Sequence, residues 1–327
     1  MKLFNKISVL ITALFCVISL CACGSGSGAA DGKIKVVCTS YPMYDWVKNI
    51  IGDCDSAEAS MLFKNGVDIH SYQPSAEDII RISGCDLLVY NGGVSDKPIE
   101  EILKKSADNT EGFSCMENLN GSILAERDDI VTEHEEHEEH EEHEDHDAAD
   151  EHIWLSLRRA EKLCTALAEK LSELDAKNGD KYRENAGKYV EKLAALDGEY
   201  KKACEAASVK TLIFADRFPF LYLADDYGLD CTAAFPGCSS ETEASFDTVL
   251  KLAQKLKDTG VKYVLTTDNS DKKTAESVIS AAGVTDVAIL EMNSMQAVSD
   301  RDIQAGAAYL SIMEDNLGVL KTALGAE

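Results

Sequence analysis

The chain has 327 residues, 45% of them hydrophobic, and a formal net charge of −26. That length accommodates two domains of ordinary size, and that apolar fraction is normal for a folded protein. The negative charge excludes phosphate-backbone binding as the main activity, because nucleic acid would be repelled, and it favours a cationic ligand.

Lys2 and Lys6 precede an apolar run from Ile7 to Leu20, which marks residues 1–22 as an export signal too short to span a bilayer comfortably. The run ends in Leu20-Cys21-Ala22-Cys23, which resembles a bacterial lipobox with Cys23 as the lipidated first residue of the mature chain. Residues 23–32, rich in Gly, Ser and Ala, then read as a flexible tether. Cys38, Cys54, Cys85, Cys115, Cys164, Cys204, Cys231 and Cys238 follow. Export permits disulfides, but eight cysteines allow 105 pairings and nothing in the spacing selects one. No mature Cys-x-x-Cys pair exists, which argues against a thiolate zinc knuckle.

From Lys33 the pattern alternates β-type and helical runs. Strands are predicted over 34–38, 57–63 and 86–90, and helices over 44–51 and 75–83. This is the order of βαβ units, so a parallel sheet is expected. His70 lies in Val67-Asp68-Ile69-His70-Ser71-Tyr72-Gln73-Pro74, after a strand and before a helix that Ser75 can cap. That is the carboxyl end of a strand, where open α/β sheets bind ligands.

Six of the seven histidines fall between Glu133 and Leu155. His134, His137, His140, His143 and His146 are spaced by three within a run of Asp and Glu, and no apolar residue occurs from Glu133 to Asp147. Such a segment cannot bury a face, so a disordered loop over 133–150 is expected. A period of three drifts around an α-helix of 3.6 residues per turn, which excludes a fixed helical ligand array. What remains is a string of imidazoles and carboxylates suited to transient contact with divalent transition metals. His152 follows in Glu151-His152-Ile153-Trp154-Leu155-Ser156, just ahead of a helix predicted over 157–174.

Residues 176–179 interrupt the helical pattern, and 180–207 resume it as a long helix placed to act as a stiff connector. The second half repeats the βα grammar. Strands are predicted over 211–215, 262–266 and 287–290, and helices over 220–226, 246–256, 271–282 and 302–324. The first of these strands delivers Asp216 at its end and the third delivers Glu291. Two α/β lobes, residues 33–175 and 208–327, joined by the 176–207 helix, describe a cleft with polar side chains at several strand ends.

Three segments carry a resemblance to a known family: VDIHSYQPSAEDI at 67–79, EHIWLS at 151–156 and AGAAYLSIMEDNLGVLKTAL at 305–324. They resemble the zinc and manganese solute-binding lipoproteins of bacterial metal ABC transporters, over nearly the whole mature chain. The histidine-rich insertion before the second motif is placed as in the zinc-uptake members. The resemblance implies two α/β lobes, each with a mostly parallel sheet, joined by a rigid helix, with one metal held between them by two side chains from each lobe. His70 and His152 match the two positions of the first lobe. In the second lobe, counting back from Tyr227-Gly228-Leu229 puts Arg217 at the family's ligand position, but a guanidinium cannot coordinate a cation. Asp216, one residue earlier, is the chemically competent neighbour. Glu291 matches the fourth position, with Asp268 as its fallback.

Two imidazoles and two carboxylates suit zinc, with manganese the alternative, and the histidine-rich loop favours zinc. Protons compete for both histidines, so binding is expected to weaken on acidification. A monomeric receptor with an ABC permease and its ATPase as partners is implied, attached to the membrane through Cys23. The competing reading is a cell-surface zinc buffer with no transport partner. No His-Glu-x-x-His helix and no Gly-x-x-x-x-Gly-Lys-Ser/Thr loop is present, so neither a zincin protease nor ATP hydrolysis by this chain is expected.

Overall fold

The computed structural model describes residues 32–63, 72–106, 110–127, 130, 149–239 and 243–326. The export signal, Cys23, His70 and His134 to His146 lie outside the described residues. Among those described, no helix is long and apolar enough to cross a membrane.

The first half contains β1 (Ile34–Cys38), α1 (Tyr41–Ile51), β2 (Ala57–Met61), α2 (Ala76–Ser83), β3 (Leu87–Tyr90), α3 (Lys97–Lys105), β4 (Glu111–Ser114) and the short α4 (Cys115–Asn118). The strands form one parallel sheet in the order β2-β1-β3-β4. Its inner strands are almost wholly apolar, as they must be when helices cover both faces. α1 begins three residues before the predicted start because Pro42 can occupy the first turn, where its missing N–H costs nothing. α2 starts as predicted at a capping box: Ser75 accepts from the Asp78 N–H, and Asp78 accepts from the Ser75 N–H.

A 3-10 turn (Ile153–Leu155) leads into α5 (Leu157–Leu174), which Ser156 caps by accepting from the Arg159 N–H at 3.1 Å. α6 (Gly179–Ala206) then runs for 28 residues. It is more than a stiff rod between halves. Tyr189 donates to Asp45 of α1 at 3.1 Å, whereas Tyr200 donates to the Met313 carbonyl of the last helix at 2.6 Å. The helix is a spine packed on both halves of the chain.

The second half contains β5 (Thr211–Phe218), α7 (Leu221–Tyr227), β6 (Asp230–Pro236), α8 (Phe246–Thr259), β7 (Tyr263–Thr267), α9 (Lys273–Ala282), β8 (Ala288–Met292), α10 (Asp300–Gln304) and α11 (Tyr309–Leu324). Its sheet is again parallel, in the order β6-β5-β7-β8. Successive β5 side chains alternate between two cores. Leu212 and Phe214 join the large core that runs back through α5 and α6 to β1, and Ile213 and Ala215 join a smaller one with Leu252, Val264 and Val278. α7 closes at Gly228 in the left-handed conformation, as predicted.

Several expectations need correction. α3, β4, the short α4 and β6 were not foreseen. β5 continues through Asp216 to Phe218, past an irregularity of register between Phe214 and Arg217, so Asp216 lies within the strand. β8 runs to Met292, so Glu291 also lies within its strand. The single closing helix over 302–324 is two, because Gly306, at φ +100°, turns the chain between α10 and α11. The eight cysteines that follow Cys23 are free thiols, seven of them buried.

Candidate metal centre

In both sheets the chain leaves one strand for a neighbour on one side and then returns to pair on the other. β1 lies between β2 and β3, and β5 lies between β6 and β7. Connections departing to opposite sides open a crevice at the carboxyl ends of the central strands, where doubly wound sheets bind ligands. In the second sheet that crevice carries acid. Asp216, near the end of β5, accepts through Oδ2 from the Thr267 N–H at 3.1 Å and from its hydroxyl at 3.0 Å, and through Oδ1 from the Arg217 N–H at 2.8 Å. The carboxylate therefore ties the end of β5 to the end of β7, where the single β5–β7 register pair lies further down, at Phe214 and Leu265.

Asp268 follows β7 directly. Its Oδ1 accepts from the Ser294 N–H at 2.6 Å and the Ser294 hydroxyl at 2.7 Å. Burial pushes this carboxyl above its ordinary range, the Ser294 bonds pull it back, and the Glu291 carboxylate adds a smaller upward push. Glu291 itself is 46% exposed and pairs with Lys272 at 3.2 Å. A surface ion pair of this kind gains little, and it leaves Glu291 committed to solvent and a lysine. Arg217, at the position where the family resemblance places a ligand, donates through Nη1 to the Ser239 carbonyl at 3.4 Å.

His152 has no solvent exposure at all. Three features hold it. Ala149 pairs with Ala125 in an antiparallel bridge and the Asp150 N–H donates to the Leu124 carbonyl at 3.0 Å, so the last residues of the predicted disordered loop are fixed. Tyr222 of α7 donates its hydroxyl hydrogen to the Asp150 carbonyl at 2.6 Å. The Asp150 carboxylate accepts from the His152 N–H at 2.9 Å and faces Nδ1 at 3.2 Å. A carboxylate only accepts, so Nδ1 carries the proton of the neutral ring and Nε2 carries the lone pair. This carboxylate–imidazole pairing is the arrangement that orients histidine ligands in metal sites.

The far side of the ring meets the second half of the chain. Gln296 Nε2 lies 2.9 Å from His152 Nε2, and the loop that carries Gln296 is bound down along its length. Asn293 exchanges two bonds with the Asn316 side chain, each of 2.8 Å. The Ser294 carbonyl accepts from the Trp154 indole at 2.8 Å, and the Met295 N–H donates to Asn293 Oδ1 at 2.8 Å. Met295 is buried and holds φ at +60°, a conformation costing a side-chain-bearing residue about 1 kcal/mol, which the surrounding bonds maintain. A continuous series of contacts thus links His152 through Gln296, Ser294, Asp268 and Thr267 to Asp216. Among the described residues alone, no three His, Cys, Asp or Glu side chains gather closely enough to hold a metal ion.

Asp150 was detectable as a carboxylate two residues before a histidine. Gln296 was not, because its contact spans 144 residues and its segment has no distinguishing period. Gly237 was also missed. A Cβ there would stand 2.7 Å from His152 Cε1 and 2.8 Å from the Phe218 carbonyl oxygen, so the turn after β6 approaches the imidazole as only glycine permits. Gly237→Ala is expected to destabilise the protein by about 1–3 kcal/mol, the usual penalty of overpacking, measured by denaturant unfolding.

Comparison with known proteins agrees with this architecture. The zinc-binding lipoprotein AdcA of Streptococcus pneumoniae is 32% identical over 322 residues, which are 97% of this chain and 60% of that protein. The chain therefore spans about 60% of the length of the AdcA relatives it matches. The high-affinity zinc uptake system protein ZnuA of Bacillus subtilis is 32% identical over 328 residues, 98% of this chain and 99% of its own. Among solved structures, the Zn(II)-bound ZnuA-like domain of Streptococcus pneumoniae AdcA superposes with a TM-score of 0.71 at 27% identity, covering 90% of this chain and 99% of that one. The metal-dependent lipoprotein YcdH from Bacillus subtilis gives 0.73 at 26% identity, with 89% and 100% covered. The family described as zinc-uptake complex component A, periplasmic (ZnuA), matches residues 36–323, and the chain belongs to that family.

Proposed function

We propose that this protein is an extracytoplasmic receptor, anchored through a lipid on Cys23, that captures one zinc ion between its two halves and delivers it to an ABC permease driven by a separate ATPase. The ligands we assign are His70, His152, Asp216 and Asp268; the three described ones, His152, Asp216 and Asp268, do not stand close enough to share an ion in this structure, so the assignment requires the ion to draw them together. Asp268 replaces Glu291 in this set, because Glu291 is half exposed and paired with Lys272 whereas Asp268 is linked by hydrogen bonds to the loop facing His152. Asp268 also has an available second oxygen on chemical grounds: Ser294 engages Oδ1, and a carboxylate has two.

The observation that carries this reading is His152. A fully buried imidazole, with Nδ1 on a carboxylate and Nε2 directed at the opposite half of the chain, is a ligand fixed before metal arrives. Two imidazoles with two carboxylates form a donor set that zinc accepts at near-tetrahedral geometry. The zinc-binding names of the relatives support the choice of metal. The histidine-rich run at 134–146 would serve as an auxiliary collector outside the tight site.

Deleting residues 133–147 from the full chain is the direct test. Titration calorimetry with zinc is expected to retain one tight site of unit stoichiometry and to lose only weak binding. Disappearance of the tight site would transfer the binding function to the acidic run and end the cleft assignment.

A further inference from the structure

The first sheet has a recess of its own at the carboxyl ends of its inner strands. Thr39 and Ser40 after β1, Asn91 and Asp96 after β3, and Glu151 line it, and it has room for one water-sized occupant. Two of these groups are buried acids, Asp96 at 4% exposure and Glu151 at 2%. Asp96 Oδ2 accepts from the Gly92 N–H at 3.0 Å, and Glu151 Oε1 accepts from the Ser95 N–H at 2.9 Å. Gly93, at φ +88°, brings the loop after β3 so near that a Cβ there would stand 2.5 Å from Glu151 Oε1. Asn91 supplies a separate sign of an occupant. It is 4% exposed, and its Nδ2 donates to the Glu151 carbonyl at 2.7 Å, which fixes the orientation of the amide. Its Oδ1 is thereby buried against the recess with no hydrogen-bond donor.

Buried carboxylates persist when they are paired or when they coordinate a metal. We propose that this recess is a second cation site, apart from the zinc ligands, which takes a hard divalent ion of calcium's size on Asp96, Glu151 and Asn91 Oδ1. The donor set selects the class of ion. It is all oxygen, with two negative charges to match a divalent cation, and it holds no imidazole or thiolate of the kind zinc prefers. Burial pushes the Asp96 carboxyl up to about 7, the Gly92 N–H pulls it back, and the Glu151 carboxylate adds a further push. A divalent ion between the two acids reverses that balance and keeps both ionised. It would also join the end of β1 to the loop after β3 and to the segment that leads into His152, bracing the first half of the chain whether or not zinc is bound. The site uses none of the four zinc ligands, so its failure would leave their assignment untouched.

Unfolding midpoints of the full chain, of Asp96→Asn and of Glu151→Gln, each stripped of metal by a chelator, are to be measured over a series of calcium chloride concentrations with no other divalent ion present. Calcium is expected to raise the wild-type midpoint progressively, as any ligand of the folded state does. Each variant is expected to need at least about tenfold more calcium for the same rise, because affinity at oxygen sites follows the count of charged ligands. Both substitutions keep the shape of the side chain and an oxygen that can accept from Gly92 or Ser95. The calcium-free midpoints are therefore expected to stay at the wild-type value, which separates loss of a ligand from loss of the fold. The acidic run at 133–147 is common to all three proteins, so its own attraction for calcium cancels in the comparison. A wild-type midpoint indifferent to calcium would overturn the site, and so would variants that respond to calcium as the wild type does.

Discussion

Replacing His152 by alanine is expected to weaken zinc binding by more than about 100-fold and to abolish the rise in unfolding midpoint expected of the wild-type chain with zinc. Loss of a group that merely orients a metal ligand already costs 10- to 100-fold in affinity, and His152→Ala removes the proposed ligand together with its orientation. The substitution also empties a fully buried site between Trp154, whose ring stands 5.2 Å away edge-on, and Gly237. A cavity of that size costs about 3 kcal/mol of folding free energy, so the metal-free variant must be shown to fold by its own unfolding transition before its affinity is read. Asp150→Asn provides the finer arm. Asparagine keeps the shape but can present its N–H₂ to Nδ1, which stabilises the tautomer with the lone pair on Nδ1 and the proton on Nε2. Zinc binding is expected to fall about 10- to 100-fold while stability changes little. Chelator competition on the three proteins checks both expectations, and wild-type affinity in His152→Ala would remove His152 from the site.

The sequence carried the fold where strands were apolar and helices amphipathic. IKVVC, LLVY and TLIFA announced β1, β3 and β5 because inner strands of a parallel sheet are apolar on both faces, and Ser75, Ser156 and Gly228 marked helix ends by their own chemistry. β6 was invisible for the complementary reason. Its residues, DCTAAFP, include two alanines, an aspartate and a proline, and it becomes a strand by pairing with β5. β5 and β8 were cut short because Asp216, Arg217 and Glu291 look like the polar residues that follow a strand, whereas hydrogen bonding carries the strands through them. His152 was legible through its local motif. Its partner Gln296 was not, since a contact between segments 144 residues apart leaves no trace in either segment alone.

Asp226→Ala is expected to destabilise the protein by about 3–5 kcal/mol, the cost of stranding a buried charge. Asp226 and Arg159 are 6% and 8% exposed, and they pair at 3.1 Å. The Ser156 hydroxyl that caps α5 donates to the other Asp226 oxygen at 2.5 Å, so the carboxylate also sets the cap. Arg159 in turn lies over the Tyr222 ring, 4.3 Å from its centroid, and Tyr222 donates to the Asp150 carbonyl. Burial outweighs the pull of Ser156, Arg159 and Arg158 and leaves the Asp226 carboxyl above its ordinary range. That balance separates the value of the pair from the cost of breaking it: ionisation of Asp226 is not favoured by the fold even with two arginines beside it. The double variant Asp226→Leu with Arg159→Met is therefore expected to recover most of the stability lost by Asp226→Ala, because no buried charge remains unpaired. The recovered protein should nonetheless bind zinc less tightly than wild type, since Tyr222 would no longer be held by Arg159 against the segment that orients His152. Denaturant unfolding of the single and double variants, with chelator competition on each, tests the two expectations separately. A double variant as unstable as Asp226→Ala would show that the pair contributes net stability, and one with wild-type zinc affinity would show that the path from Asp226 to His152 carries no positional constraint.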